Sequence, residues 1–162
     1  MSKFVTATYK NRASAEHATD ELASRGFPLE DISVLMSNTT KGREFNLKET
    51  NKLPEGATAG ALTGGTLGAV VAGLVAVGTV AAPGVGLFAS GPIVAALAGA
   101  GAGGAAGGAI GALAGAGIKE HEAKVSMKGI EDGQILLGVY AHDDRKETAR
   151  KIFKETGGEH IG

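Results

Sequence analysis

Hydrophobic and polar residues alternate along Lys3 to Tyr9, with Val5, Ala7 and Tyr9 against Phe4, Thr6 and Thr8, and this period of two predicts a first strand. The rhythm then changes. Ala15, Ala18 and Leu22 share one face of a helix that Asn11 can cap, and Gly26 before Phe27-Pro28 supplies its stop. Asp31 to Ser37 alternates again, with Ile32, Val34 and Met36 facing one way, and predicts a second strand. Near the other end, Gln134 to Ala141 is apolar on both sides, as a central strand should be. It is followed by His142-Asp143-Asp144, a capping-box spacing from Asp144 to Glu147, and a helix with Ala149, Ile152 and Phe153 on its buried face. Gly157-Gly158 stops that helix, and Glu159-His160-Ile161 begins a short last strand.

The two flanks therefore repeat one β-α-β unit. Two such units in one chain predict an α+β fold of the ferredoxin-like kind, a four-stranded antiparallel sheet with two helices on one face. Residues 1–38 form the first half, 39–55 a connector of low regular content, and 119–162 a helix extension plus the second half. The region between strands two and three, residues 56–118, is expected to be inserted there as a helical hairpin.

That insertion has its own period. Gly56, Gly60, Gly64 and Gly68 recur every fourth position, continued by Ala72 and Ala76, and a second run holds Gly91, Ala95, Gly99, Gly103, Gly107, Gly111 and Gly115. Four-residue spacing keeps one helix face bare, which predicts two glycine-zipper helices packed at close range. Pro83, Gly84, Gly86, Leu87 and Phe88 mark the uncharged hairpin tip, and Lys119 to Asp132 reads as a continuation of the second helix. Pro92 to Ile118 contains 9 glycines, and at about 1 kcal/mol each against alanine the segment loses about 9 kcal/mol before packing. Another backbone must therefore cover it. A hairpin partner, further copies of the chain, or a bilayer with the first helix leading the insertion all answer that need, because about 20 apolar residues span a membrane.

Charge sharpens the contrast. Residues 1–55 carry 8 Lys+Arg and 8 Asp+Glu, residues 119–162 carry 8 and 9, and the 63 residues of 56–118 carry none, although 19 of the 27 glycines lie there. No basic surface is concentrated enough to make nucleic acid the expected partner. With no cysteine in the chain, disulfides and thiolate metal sites are excluded. The start of the chain lacks a signal-peptide pattern, so the termini are expected in the cytoplasm, with the hairpin at or in the inner membrane if lipid is its solvent. Gly99-x-Gly101-x-x-Gly104 matches the dinucleotide pattern by composition only, lacking a preceding strand. His17, His121, His142 and His160 stand apart in the sequence beside ordinary surface charges, and no nucleophile or acid pair has a supporting context. The expectation is a chain with no catalytic residue, cofactor, metal or small-molecule substrate.

The order of parts resembles one family. The run Gly26-Phe27-Pro28-Leu29-Glu30-Asp31-Ile32-Ser33-Val34, then Glu55 to Gly60, Ala82 to Gly86, and Ile135 to Asp144 together look like the bacterial general stress protein 17M-like (heat-induced stress protein) family. The resemblance covers nearly the whole chain and rests on structural glycines, prolines and apolar runs. It implies a stress-associated bacterial protein. Two assembly readings follow: a non-enzymatic protein whose zipper hairpin associates with membrane or with itself, and a soluble homo-oligomer with hairpins buried between subunits. A third, from a different class, is a ferredoxin-like module that senses a small molecule.

Overall fold

The computed structural model describes residues 3–45, 65–71, 80–82, 87–100 and 105–162. Among these the chain is mixed α+β and centres on a five-stranded antiparallel sheet. Strand β1 (Lys3–Tyr9) is followed by helix α1 (Arg12–Ser24), and β2 (Ile32–Ser37) by α2 (Asn38–Phe45). Helix α3 spans Gly65–Val71, and β3 (Val80–Ala82) and β4 (Leu87–Ser90) precede α4 (Ile93–Ala100), α5 (Ala105–Gly115) and α6 (Glu120–Glu131). Strand β5 (Ile135–Ala141) and helix α7 (Lys146–Glu155) complete the order. Spatially the strands run β1-β5-β2-β4-β3.

Strand β5 is central. It pairs with β1 from Lys3↔Ala141 to Tyr9↔Ile135, and with β2 from Ile32↔Val139 to Leu35↔Leu136. Its apolar residues on both sides meet the two faces of the sheet, as their sequence requires. On the first face Val5, Ala7, Tyr9, Ile32, Val34, Met36, Leu137 and Val139 pack against α1, α3 and α7. Asn11 caps α1 through Ser14 N–H donating to its Oδ1 at 2.9 Å. Gly26, at φ +78°, stops it, with Phe27 N–H returning to Leu22 O. Arg145 stacks on Phe27 at 4.0 Å and donates to the carbonyls of Arg25 and Gly26, fastening the end of α1 to the turn before α7.

The second face is covered too. Phe4, Leu35 and Leu136 pack under Leu87, Ile93, Leu97, Leu113, Met127 and Ile130 from β4, α4, α5 and α6. The sheet is thus sandwiched between helices, where two helices on one face are expected from the flanks alone. Helices α4 and α5 of the uncharged stretch supply part of this second layer, while α3 packs on the first face.

Several expectations change in three dimensions. The first zipper helix does not run unbroken to residue 82, because Val80–Ala82 is a strand. Leu87 and Phe88 are not a projecting tip: β4 lies between β2 and β3, pairing Leu87 with Ser37 and Phe88 with Met36. The open side of β2 offers backbone partners that an isolated tip would lack, and Leu87 is buried there. Lys119–Asp132 is not a continuation of the preceding helix. Gly117 adopts φ +94°, Ile118 N–H bonds Leu113 O and Gly117 N–H bonds Ala114 O, a glycine stop that ends α5 before α6 begins. The connector opens with regular structure: Ser37 Oγ accepts from Thr40 N–H, and Thr40 Oγ1 and Arg43 Nη2 both donate to Gly133 O, which docks α2 on the sheet end.

Two smaller details also differ. Asp144 and Glu147 form no capping box, since α7 starts at Lys146 after a turn in which Arg145 and Lys146 N–H bond His142 O. The last strand shrinks to one bridge, Thr8↔Glu159, because His160 turns the chain at φ 51°.

Candidate self-association surface

Helix α5 is built from alanine and glycine with Ile110 and Leu113 its only larger residues. Ala109, Ala112 and Leu113 are buried against α4, α6 and the sheet, which leaves Gly111, Ala114 and Gly115 exposed on the other side. These three occupy i, i+3 and i+4, one turn of one face. Among the described residues, a Cβ built on Gly111 or Gly115 meets nothing within 4 Å beyond its own helix. On α4, which packs on α5, Ala95 is also exposed. Ala95 and Ala114 extend the surface beyond the residues that the glycine rhythm singles out. The signal for Ala114 is its three-residue offset from Gly111.

The glycines that the chain's own packing demands are others. Gly91 has φ +88°, and a Cβ there would lie 2.2 Å from Ile32 O and 2.8 Å from Ser33 Cα. It belongs to the backbone crossing from β4 into α4, outside any helix, although the four-residue count includes it. Gly138 faces the Phe4 ring at 2.1 Å, and Gly158 approaches Phe153 O at 2.8 Å by the same construction. Of the zipper positions, Gly68 is buried in α3, which packs on α1 and directs Leu67, Val70 and Val71 into the first cluster. Gly99 lies in α4 and Gly107 in α5. Gly56, Gly60, Gly64, Gly103, Pro83, Gly84 and Gly86 lie outside the described residues. The structure therefore brings Gly111 and Gly115 together on one open surface and separates them from Gly68, which lies on the opposite side of the sheet.

Charge borders this surface beyond Gly117. On α6 Lys119 pairs with Glu122 at 2.9 Å and Lys124 with Glu120 at 2.7 Å, and the Lys124 ammonium holds the Glu120 carboxyl below its ordinary range. No charged side chain stands on α4 or α5.

Among the described residues, shallow grooves include two elsewhere on the surface. One of about 360 Å³ runs between Glu147, Arg150, Lys151, Lys154 and Ile161, and one of about 630 Å³ between Asn11, Arg12, Ala13, Glu16, His17, Asp20 and Glu44. Their cations are largely answered: Arg150 by Glu147 at 3.0 Å, Lys151 by Glu155 at 3.8 Å and Arg12 by Glu16 at 3.3 Å. His17, His121, His142 and His160 are all exposed and lie on separate elements or turns. Among the described residues no group of three or more His, Asp or Glu is placed to hold a metal ion. Asp143, drawn below the usual carboxylate range to about 2 chiefly by its hydrogen bond with Lys146, is exposed in the turn before α7. Among the described residues no helix is long and apolar enough to cross a membrane.

Comparison with family models, curated proteins and solved structures finds no match to this chain.

Proposed function

We propose that this chain is a non-enzymatic protein that assembles with further copies of itself through the outer face of α5. One observation carries the reading: Gly111 and Gly115 lie in a helix, are exposed, and have no neighbour that requires a missing Cβ. Each costs about 1 kcal/mol against alanine in that position. Close approach of a second helix is the use of such a face, because backbone-to-backbone contact recovers dispersion and weak Cα–H···O energy that a side chain would block. Packing on its own kind is favoured over a spanning hairpin by where the large aliphatics go. Leu67, Val70 and Val71 face α1 and the sheet, and Ile93, Leu97 and Leu113 face the sheet from the other side.

We read the strand order from the Glu159 bridge through β1, β5 and β2 as a ferredoxin-like frame, with β4 and β3 added beyond β2 by the inserted stretch. The association with stress that the family resemblance implies would then belong to an assembling scaffold.

Sedimentation or light scattering tests the reading. The wild-type chain is expected to exceed its 16.1 kDa monomer mass without detergent, and Gly111→Glu with Gly115→Glu is expected to shift it to monomer while the circular dichroism spectrum is kept. A wild-type chain that stays monomeric at every concentration overturns the proposal. Lipid that copurifies in stoichiometric amount would favour the bilayer version instead.

A further inference from the structure

The buried, unpartnered polar side-chain atoms of the described residues are Thr6 Oγ1, Ser126 Oγ and Gln134 Oε1. All three fall in one seam, where α6 crosses β1 on the second face of the sheet. Thr6 and Thr8 share a side of β1 with Phe4, which belongs to the second cluster. Glu122, Ser126 and Gly129 are four and three residues apart on α6 and share the face turned to them. Contacts at each end fix the alignment. A Cβ on Gly162 would sit 2.7 Å from Glu122 Oε2 and 3.4 Å from Thr6 Oγ1, while one on Gly129 would sit 2.5 Å from Gln134 Oε1 and 3.5 Å from Thr8 Cγ2. Ser126 lies between these two ends on the same face of α6, opposite the side of β1 that carries Thr6 and Thr8. Thr6 and Ser126 are each 0% exposed.

We infer that this seam is a hydration site: an ordered internal water bridges Thr6 Oγ1 and Ser126 Oγ and donates to Gln134 Oε1. A buried hydroxyl without a partner is costly, and natural interiors resolve such groups with water that makes two to four hydrogen bonds. The surroundings suit this ligand. Gln134 Nε2 is already engaged by Glu159 Oε2 at 3.3 Å and Thr8 Oγ1 by Glu159 O at 3.2 Å, which leaves the Gln134 oxygen and the two hydroxyls for one small molecule that both donates and accepts. The water then seats the polar half of α6, whose Ala123, Met127 and Ile130 seat the apolar half.

A double-mutant cycle with urea unfolding tests the bridge. Thr6→Val and Ser126→Ala are each expected to lower the folding equilibrium constant about tenfold, and the double variant by far less than the product, because one water serves both hydroxyls. Singles that leave stability unchanged or raise it, or effects that multiply, overturn the inference. Should a variant fail to fold, NMR on the wild-type chain decides. A cross-peak from water to the Ser126 amide proton with the sign of a long-lived contact is expected, and its absence overturns the site.

Discussion

At the scale of single residues, the most demanding position is Gly91. Its left-handed backbone is closed to most side chains, and the added Cβ would run into the Ile32 carbonyl, which belongs to a paired strand and cannot yield. Gly91→Ala is expected to destabilise the fold by about 3 kcal/mol, the sum of a positive-φ penalty and a backbone overlap, read as a lower urea midpoint. Tyr9 makes a different prediction. Its phenol is buried, bonds Thr156 Oγ1 at 2.8 Å and meets Phe153 edge to face. Burial pushes its pKa up to about 12, against about 10 in an unfolded chain. The folded state thus holds the proton more tightly. Its stability from this group is complete below about pH 10, declines as the unfolded chain ionises above that, and about 2–3 kcal/mol is lost once pH passes 12. Tyr9→Phe is expected to cost about 1 kcal/mol at neutral pH through the lost hydrogen bond. It should also remove this part of the alkaline loss, so wild-type and variant unfolding curves converge and cross as pH rises.

At the scale of elements, α5 separates two roles for glycine. If Gly111 and Gly115 served only this helix, alanine would improve it, since each replacement adds helix propensity into open space. Gly111→Ala with Gly115→Ala is therefore expected to raise the stability of the monomeric chain at high dilution by about 1–2 kcal/mol and to weaken assembly at high concentration. Thermal unfolding across a dilution series reads both effects, and a gain of stability that is the same at all concentrations would separate α5 from assembly. Helix α2 shows a contrasting kind of attachment. Polar contacts hold it, through Thr40 and Arg43 to Gly133 O and through Glu44 to the backbone N–H of Arg12 at 3.1 Å, with Lys41 over the Phe88 ring at 4.9 Å. Its sequence, NTTKGREF, lacks an apolar stripe, which explains why it reads as connector until its partners are in place.

At the scale of the whole molecule, the flanks build a sheet whose second face they cover with α6 alone. Phe4, Leu35 and Leu136 need cover, and residues of β4, α4 and α5 provide much of it. Burial of apolar surface at about 25 cal/mol per Å² is the natural drive for that return. The same layer then turns a small-residue outer surface away from the sheet, so folding and the proposed assembly would draw on opposite sides of one helix. Covering one sheet edge follows a similar logic. Glu159 exchanges backbone hydrogen bonds with Thr8 at 2.8 and 2.9 Å, Gly162 N–H donates to Thr6 O at 3.0 Å, and Lys10 pairs with Glu159 at 2.7 Å, placing charge on an edge strand. The Glu159 carboxyl is held below its ordinary range mainly by Lys10.

The sequence by itself determined the elements whose signals are local. Period-two alternation placed β1 and β2, a run apolar on both sides placed β5, the Asn11 cap and Gly26 stop bounded α1, and the buried triplet Ala149, Ile152 and Phe153 oriented α7, because each depends on residues within a turn or two. Its four-residue spacing also puts Gly111 and Gly115 on one face of a helix. Only the tertiary structure decided what the uncharged stretch becomes. A Gly/Ala/Val run has weak and nearly equal local preferences for helix and strand, so Leu87–Ser90 became a strand when the open edge of β2 offered partners, and Gly117 ended a helix that composition alone would continue. Which glycines are packed and which are open is likewise a long-range matter. Gly91 and Gly111 are both counted in the same four-residue rhythm, yet a Cβ on the first would overlap the backbone of β2, while one on the second would meet nothing among the described residues beyond its own helix.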